Sequence, residues 1–275
     1  LSIYRSKPLS NRQATLHYGS LHVDVTTDAS GFFLIRTDIA DHHLHLQRVT
    51  VDETNVKLID GLYDKGLHRI TTPDIVVSDI DDTILHSFIS KKLRKLRTLM
   101  FTPVERRLAV EPTKNLINEI VARGATAFYL SNSEQNLYPL IYRFLLHNAF
   151  PKGPVFLKQM RRLRDFIRYR KLPGPEVHKL KTLNILLPMF PEKKFVLIGD
   201  NTQHDLSIYL TVARKYPGSV DAIYIRQAVA TPHHTHDLSD LKAELGRHNI
   251  AFYYGDFVRQ PPLRARQVPD EEATM

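Results

Sequence analysis

Asp79 and Asp81 stand two positions apart directly behind the apolar run Ile75, Val76 and Val77, in the stretch TTPDIVVSDIDDTILHS. Carboxylates crowded at the exit of a buried strand are suited to attack on phosphorus. A carboxylate nucleophile becomes an aspartyl-phosphate, and a hard cation must join it, because two anions do not approach without neutralisation. Asp79 and Asp200 are the candidate holders of that cation; Mg²⁺ takes one or two carboxylates together with water and phosphate oxygens. Asp81 can curl back over the site where the chain turns. There it would protonate the leaving oxygen and later deprotonate a water, given surroundings that raise its pKa. Ser131 and Lys179 would hold the remaining phosphoryl oxygens, one by a hydroxyl hydrogen bond and the other as a point charge.

These side chains act together only if strands and turns bring them to one place. From Ile75 onward short apolar runs alternate with amphipathic helical segments, the pattern of a parallel sheet covered on both faces. Strands are expected at DIVVSD, ATAFYLS, FVLIGD, VDAIYIR and IAFYYG, with a helix over 113–123, where Leu116, Ile117, Ile120 and Val121 share a face before Gly124. In such sheets ligands bind outside the carboxyl ends of the strands, which is where Asp79, Ser131 and Asp200 fall. The first 70 or so residues instead carry short runs such as LHVDV, FFLIRT and HLHLQRVTV, with Asp28 and Gly31 in a turn between the first two, and read as a small antiparallel β domain.

At 275 residues the chain can bury a sizeable core. It has no cysteine, which excludes disulfides and thiolate metal sites or nucleophiles. No apolar run approaches the ~18 residues of a membrane helix, and the opening LSIYRSKPLSNRQ lacks the apolar centre of a signal peptide. A cytoplasmic protein is therefore expected, with an incomplete N-terminus because the chain starts at Leu1. Lys plus Arg exceed Asp plus Glu by 38 to 29, and the net charge of +9 favours anionic partners.

An aspartate-rich turn after a strand is by itself often a helix N-cap, and Asp205 would suit that role too. The order DIDDT, Ser131, Lys179, GDNTQHD, however, resembles the four motifs of the haloacid dehalogenase superfamily. The resemblance implies a Rossmann-like α/β fold, Mg²⁺ dependence, Asp79 as nucleophile and Asp81 as general acid/base. It further implies that the Asp81 carbonyl joins Asp79 and Asp200 around the metal, that Thr83 supports the loop, and that Asp205 acts behind the ligands. The segments SDIDDTI, FYLSNSEQNLYPLI, FPKGPVFLK, HKLKTL, MFPEKKFVLIGDNTQHDLSIY and YPGSVDAIYIR are similar to the catalytic domain of the actin-patch-associated phosphatidate phosphatase family. Phosphomonoester hydrolysis is what that resemblance implies, with phosphatidate or a related anionic lipid phosphate as substrate. One departure is Glu134 and Gln135, where a small residue or proline and then tryptophan are expected.

Three units are expected: a β-rich, sandwich-like domain over 1–70, the phosphatase domain over 71–258, and a mobile tail over 259–275 rich in Pro and charge. The basic segments 91–97 and 161–171 place apolar residues among Lys and Arg and are candidate contacts with an acidic membrane surface, making the protein peripheral to a membrane. The few residues between motifs leave little room for a large cap, so an open pocket is expected. His233, His234 and His236 are read as polar surface rather than a Zn²⁺ site, because no matching ligand set accompanies them. Two alternatives stand beside the lipid phosphatase: a hydrolase of a soluble sugar or nucleotide phosphate, and a non-catalytic module binding nucleic acid or membrane. Nucleic acid ranks low, because only Phe166 and Tyr169 interleave with the basic runs.

Overall fold

A computed structural model of the chain describes residues 8–29, 31, 33, 44–60, 65, 66, 70–81, 83, 84, 109–158, 175–202, 204–229 and 235–257. The basic segments 91–97 and 161–171, His233, His234 and the tail over 259–275 lie outside them, as does the FFLIRT run apart from Phe33. The N-terminal part forms one antiparallel sheet of β1 (Gln13–Tyr18), β2 (Leu21–Thr26), β3 (Arg48–Val51) and β4 (Thr54–Val56), in the order β2-β1-β3-β4. Tight turns set its register. Gly19, with φ +63°, joins β1 to β2, while Asp52 and Glu53 at φ +47° and +65° join β3 to β4. The expected turn after β2 is present, with the Gly31 N–H donating to the Asp28 carbonyl at 3.0 Å.

The second sheet has six parallel strands: β5 (Asp74–Asp79), β6 (Ala125–Glu134), β7 (Val155–Lys158), β8 (Lys194–Asp200), β9 (Val220–Arg226) and β10 (Ala251–Gly255). Their order is β10-β9-β8-β5-β6-β7. Five of these strands match the expected runs. The sixth, β7, was not foreseen, because four residues at a sheet edge carry too little pattern to distinguish from loop. The α/β architecture with a separate antiparallel sheet is thus the observed one.

Among the described residues five α-helices accompany this sheet: α1 (Glu111–Ala122), α2 (Tyr138–His147), α3 (Pro175–Met189), α4 (Asp205–Lys215) and α5 (Thr235–Arg247). Helix α1 starts two residues earlier than its periodicity suggests, because Pro112 in its first turn needs no hydrogen-bond acceptor. It stops where Gly124 takes φ +96°. Along β5 the side chains alternate between two cores. Val76 packs with Leu116, Ile117 and Ile120 of α1 and with Ile141 and Phe144 of α2. Ile75 and Val77 pack on the other face with Leu183 and Leu187 of α3 and with Ile208 and Val212 of α4. Burial on both faces is why β5 reads as an unbroken apolar run. No helix among the described residues is long and apolar enough to cross a membrane.

Candidate active site

The strand order puts β5 at the centre with β8 on one side and β6 on the other. The chain reaches β6 directly from β5 but must cross back over β5 to reach β8, and in open α/β sheets the carboxyl ends at such a reversal are where ligands bind. Asp79 ends β5, Asp200 ends β8, and Ser131 lies near the end of β6; all three are fully buried. Lys179 comes from α3 and Asp205 from the first turn of α4, and both are also fully buried.

Carboxylate oxygens of Asp79, Asp200 and Asp205 all lie within 4.8 Å of one another. Two groups hold this anionic cluster together. The Lys179 ammonium stands 2.6 Å from Asp79 Oδ1 and also pairs with Asp205 Oδ1. The Thr83 hydroxyl lies 3.1 Å from Asp79 Oδ2 and 2.9 Å from Asp200 Oδ2, so its one proton is shared between two strand ends. Asp200 Oδ1 accepts the Thr202 N–H at 2.5 Å and its hydroxyl at 2.6 Å. The second Asp205 oxygen accepts the Asp200 N–H at 3.3 Å. Asp205 thus has one oxygen on the lysine and one on the backbone of its neighbour, the posture of a group that orients others. Asp81, beyond the end of β5, has its Oδ2 2.8 Å from the Ser131 hydroxyl, so the second aspartate does curl back to β6.

Burial pushes the Asp79 carboxyl well above the usual carboxylate range; Lys179 opposes this, and Asp205, Asp200 and Asp81 add to it. Asp205 is raised in the same way, by burial first. Lys179 is held above its ordinary value because its attraction to Asp205 and Asp79 outweighs its burial. When all are ionised, three buried carboxylates against one ammonium leave an excess of negative charge, which a cation would offset. With oxygen donors alone in the cluster, the site fits a hard divalent cation such as Mg²⁺.

Gly199 makes the close packing possible. A Cβ there would lie 2.6 Å from Asp205 Oδ2 and 2.9 Å from the Tyr209 ring. Both neighbours are buried and engaged, since the Tyr209 hydroxyl donates to the Ile198 carbonyl at 3.0 Å. Gly199→Ala is therefore expected to lower the unfolding free energy by about 1–3 kcal/mol, read from urea denaturation. Unchanged stability would show that α4 can withdraw from β8.

The family described as phosphatidate phosphatase APP1, catalytic domain, matches residues 75–227, more than half of the chain. The chain belongs to that family. It is 31% identical over 207 residues to phosphatidate phosphatase APP1 of Saccharomyces cerevisiae, a match covering 73% of this chain and 34% of the yeast protein. It is also 23% identical over 215 residues to an uncharacterized Schizosaccharomyces pombe protein, covering 75% of this chain and 35% of that one. The chain thus spans about a third of the length of these relatives. A chain in the solved Pnkp1/Rnl/Hen1 complex aligns with 75% of this chain and 55% of its own length, at 13% identity and a TM-score of 0.37. The APP1 catalytic-domain match runs from the second residue of β5 to just past β9, so it includes every residue of the buried cluster.

The structure brings together Asp79, Asp81, Thr83, Ser131, Lys179, Asp200 and Asp205, all singled out from the sequence. Two further residues were missed. Thr202 secures Asp200 through a turn two residues long, and the Asp200-x-Thr202 spacing is a recognisable turn signal. Ser133 follows Ser131 by two positions, the spacing that puts side chains on one face of a strand; its N–H donates to Ser131 Oγ at 2.9 Å.

Proposed function

We propose that this chain is a Mg²⁺-dependent phosphomonoester hydrolase of the haloacid dehalogenase superfamily, acting on phosphatidate or a related anionic lipid phosphate. The observation that carries the reading is the convergence of Asp79, Asp200 and Asp205 on one buried point, bridged by Lys179 and Thr83, at the carboxyl ends of adjacent strands. Membership of the APP1 catalytic-domain family supports the lipid substrate. Residues 71–258 serve as the phosphatase unit and 1–70 as a separate β-rich unit.

Asp79 is the nucleophile, oriented by Lys179 on one oxygen and Thr83 on the other. Asp79 and Asp200, with the Asp81 carbonyl, are the residues that would hold the cation, and Asp205 orients Lys179 behind them. A divalent cation there supplies the positive charge that keeps the nucleophile ionised against its burial and neutralises the phosphoryl oxygens. A carboxylate oxygen of Asp79 attacks phosphorus, the ester P–O bond breaks, and a proton from Asp81 goes to the leaving oxygen. Asp81, now ionised, takes a proton from the water that attacks the aspartyl-phosphate, which frees inorganic phosphate and restores both aspartates. Ser131 and Lys179 hold the phosphoryl oxygens throughout.

The test is phosphate release by the purified protein from vesicles of phosphatidate, from lysophosphatidate and from a panel of soluble phosphomonoesters. Phosphatidate is expected to be hydrolysed with Mg²⁺, to be left intact after chelation, and to be hydrolysed again on readdition. Mg²⁺ at about a hundred times its dissociation constant is expected to stabilise the fold by about 2.7 kcal/mol in urea denaturation. Release that survives chelation would remove the metal from the mechanism, and hydrolysis confined to soluble esters would replace the lipid substrate.

A further inference from the structure

We infer that Ser133 is a positioning residue that keeps the Asp81 carboxyl aimed over the site when Ser131 turns its hydroxyl to the phosphoryl group; this rests on the function proposed above. Ser131 has a single proton to donate, and in this structure it goes to Asp81 Oδ2 at 2.8 Å. Holding a phosphoryl oxygen requires that same proton. Substrate entry must therefore break the Ser131 to Asp81 hydrogen bond, and it does so at the moment when Asp81 has to be correctly placed as the acid.

Ser133 is built to take over. Its hydroxyl lies 3.4 and 3.5 Å from the two Asp81 oxygens, on the same carboxylate that Ser131 grips. At this length the contacts are weak, and catalytic hydrogen bonds that start long often tighten around bound substrate. Its N–H simultaneously donates to Ser131 Oγ at 2.9 Å, which leaves Ser131 free to rotate its proton without losing its place. One residue therefore fixes the oxygen of Ser131 through its backbone and faces Asp81 through its side chain. When the Ser131 proton swings to phosphate, the Ser133 proton can swing to Asp81, so the half-buried carboxylate keeps a hydroxyl donor through the exchange.

The exchange concerns proton delivery to the leaving group, and that gives it a signature. Dioctanoyl phosphatidate expels its diacylglycerol as an alkoxide that must be protonated, whereas the analogue with sulfur at the bridging position expels a thiolate that needs no proton. Ser133→Ala is expected to lower kcat/KM on the oxygen ester by at least about tenfold, yet to change the sulfur analogue by no more than about threefold. Ser133→Thr, which keeps the hydroxyl, is expected to recover the oxygen ester. Ser131→Ala is expected to lower both, because it removes a phosphoryl contact. Equal losses on the two esters in Ser133→Ala, or no loss on either, would overturn the role of Ser133 and leave the phosphatase reading intact. Wild-type protein inert toward both esters would overturn the phosphatidate reading and this inference together.

Discussion

Asp79→Asn is expected to lower phosphate release by at least about a thousandfold, because the amide matches the carboxylate in shape but offers no nucleophilic oxygen. Phosphate release within about tenfold of wild type would mean that another group attacks phosphorus. A second measurement separates the chemistry from the fold. Asp79 is fully buried with two other carboxylates and one ammonium, so its neutral replacement relieves repulsion in the metal-free protein. The folded-state pKa of Asp79 lies above its unfolded value, and between the two the native state holds an extra proton. Stability contributed this way is full below the unfolded value of about 4 and declines as pH rises toward the folded one. Urea unfolding of the metal-free wild type should therefore weaken with rising pH in that window. Asp79→Asn should flatten the slope, and it should also shrink the stabilisation that Mg²⁺ brings, since the variant loses a ligand.

Lys179→Met should do the opposite to the fold while also removing activity. The ammonium is fully buried and is paired with both Asp79 and Asp205. Removing one partner of a buried ion pair leaves the other charge uncompensated, at a cost of about 3–5 kcal/mol, whereas the pair itself is a weaker source of net stability. The expected loss in urea denaturation is of that size near neutral pH. It should be smaller in acid, where Asp79 and Asp205 take up protons readily because burial has already raised their pKa values. A variant as stable as wild type at neutral pH would show that the carboxylates relax outward to water. The contrast between the two substitutions is the sharper check, because Asp79→Asn removes excess charge and Lys179→Met adds to it.

Much of this arrangement is legible in local pattern. A strand buried on both faces is mostly apolar, so Ile75, Val76 and Val77 mark β5, and the polar pair Ser78 and Asp79 marks its carboxyl end. The same logic locates Ser131 and Asp200. Helix α1 is visible from Leu116, Ile117 and Ile120 on one face and from Gly124 beyond its end. Strand β7 is not visible in this way, because Val155–Lys158 is too short to show a period. Gly199 is equally silent, since its reason is a carboxylate six residues on that presses against the place a side chain would occupy.

The amino-acid order alone determined which residues leave the strands with reactive groups, because alternation and burial are properties of neighbouring residues. It also made Asp79, Asp81, Ser131, Lys179 and Asp200 candidates for one reaction. Only the tertiary structure decided that β8 and β6 flank β5, and hence that Asp200 meets Asp79 through a shared Thr83 proton. The same packing gave Lys179 two carboxylate partners and brought Ser133 to the carboxyl group of Asp81. Such meetings join residues from 26 to 117 positions apart in the chain, and they are set by the packing of the two cores as wholes, which no local period records.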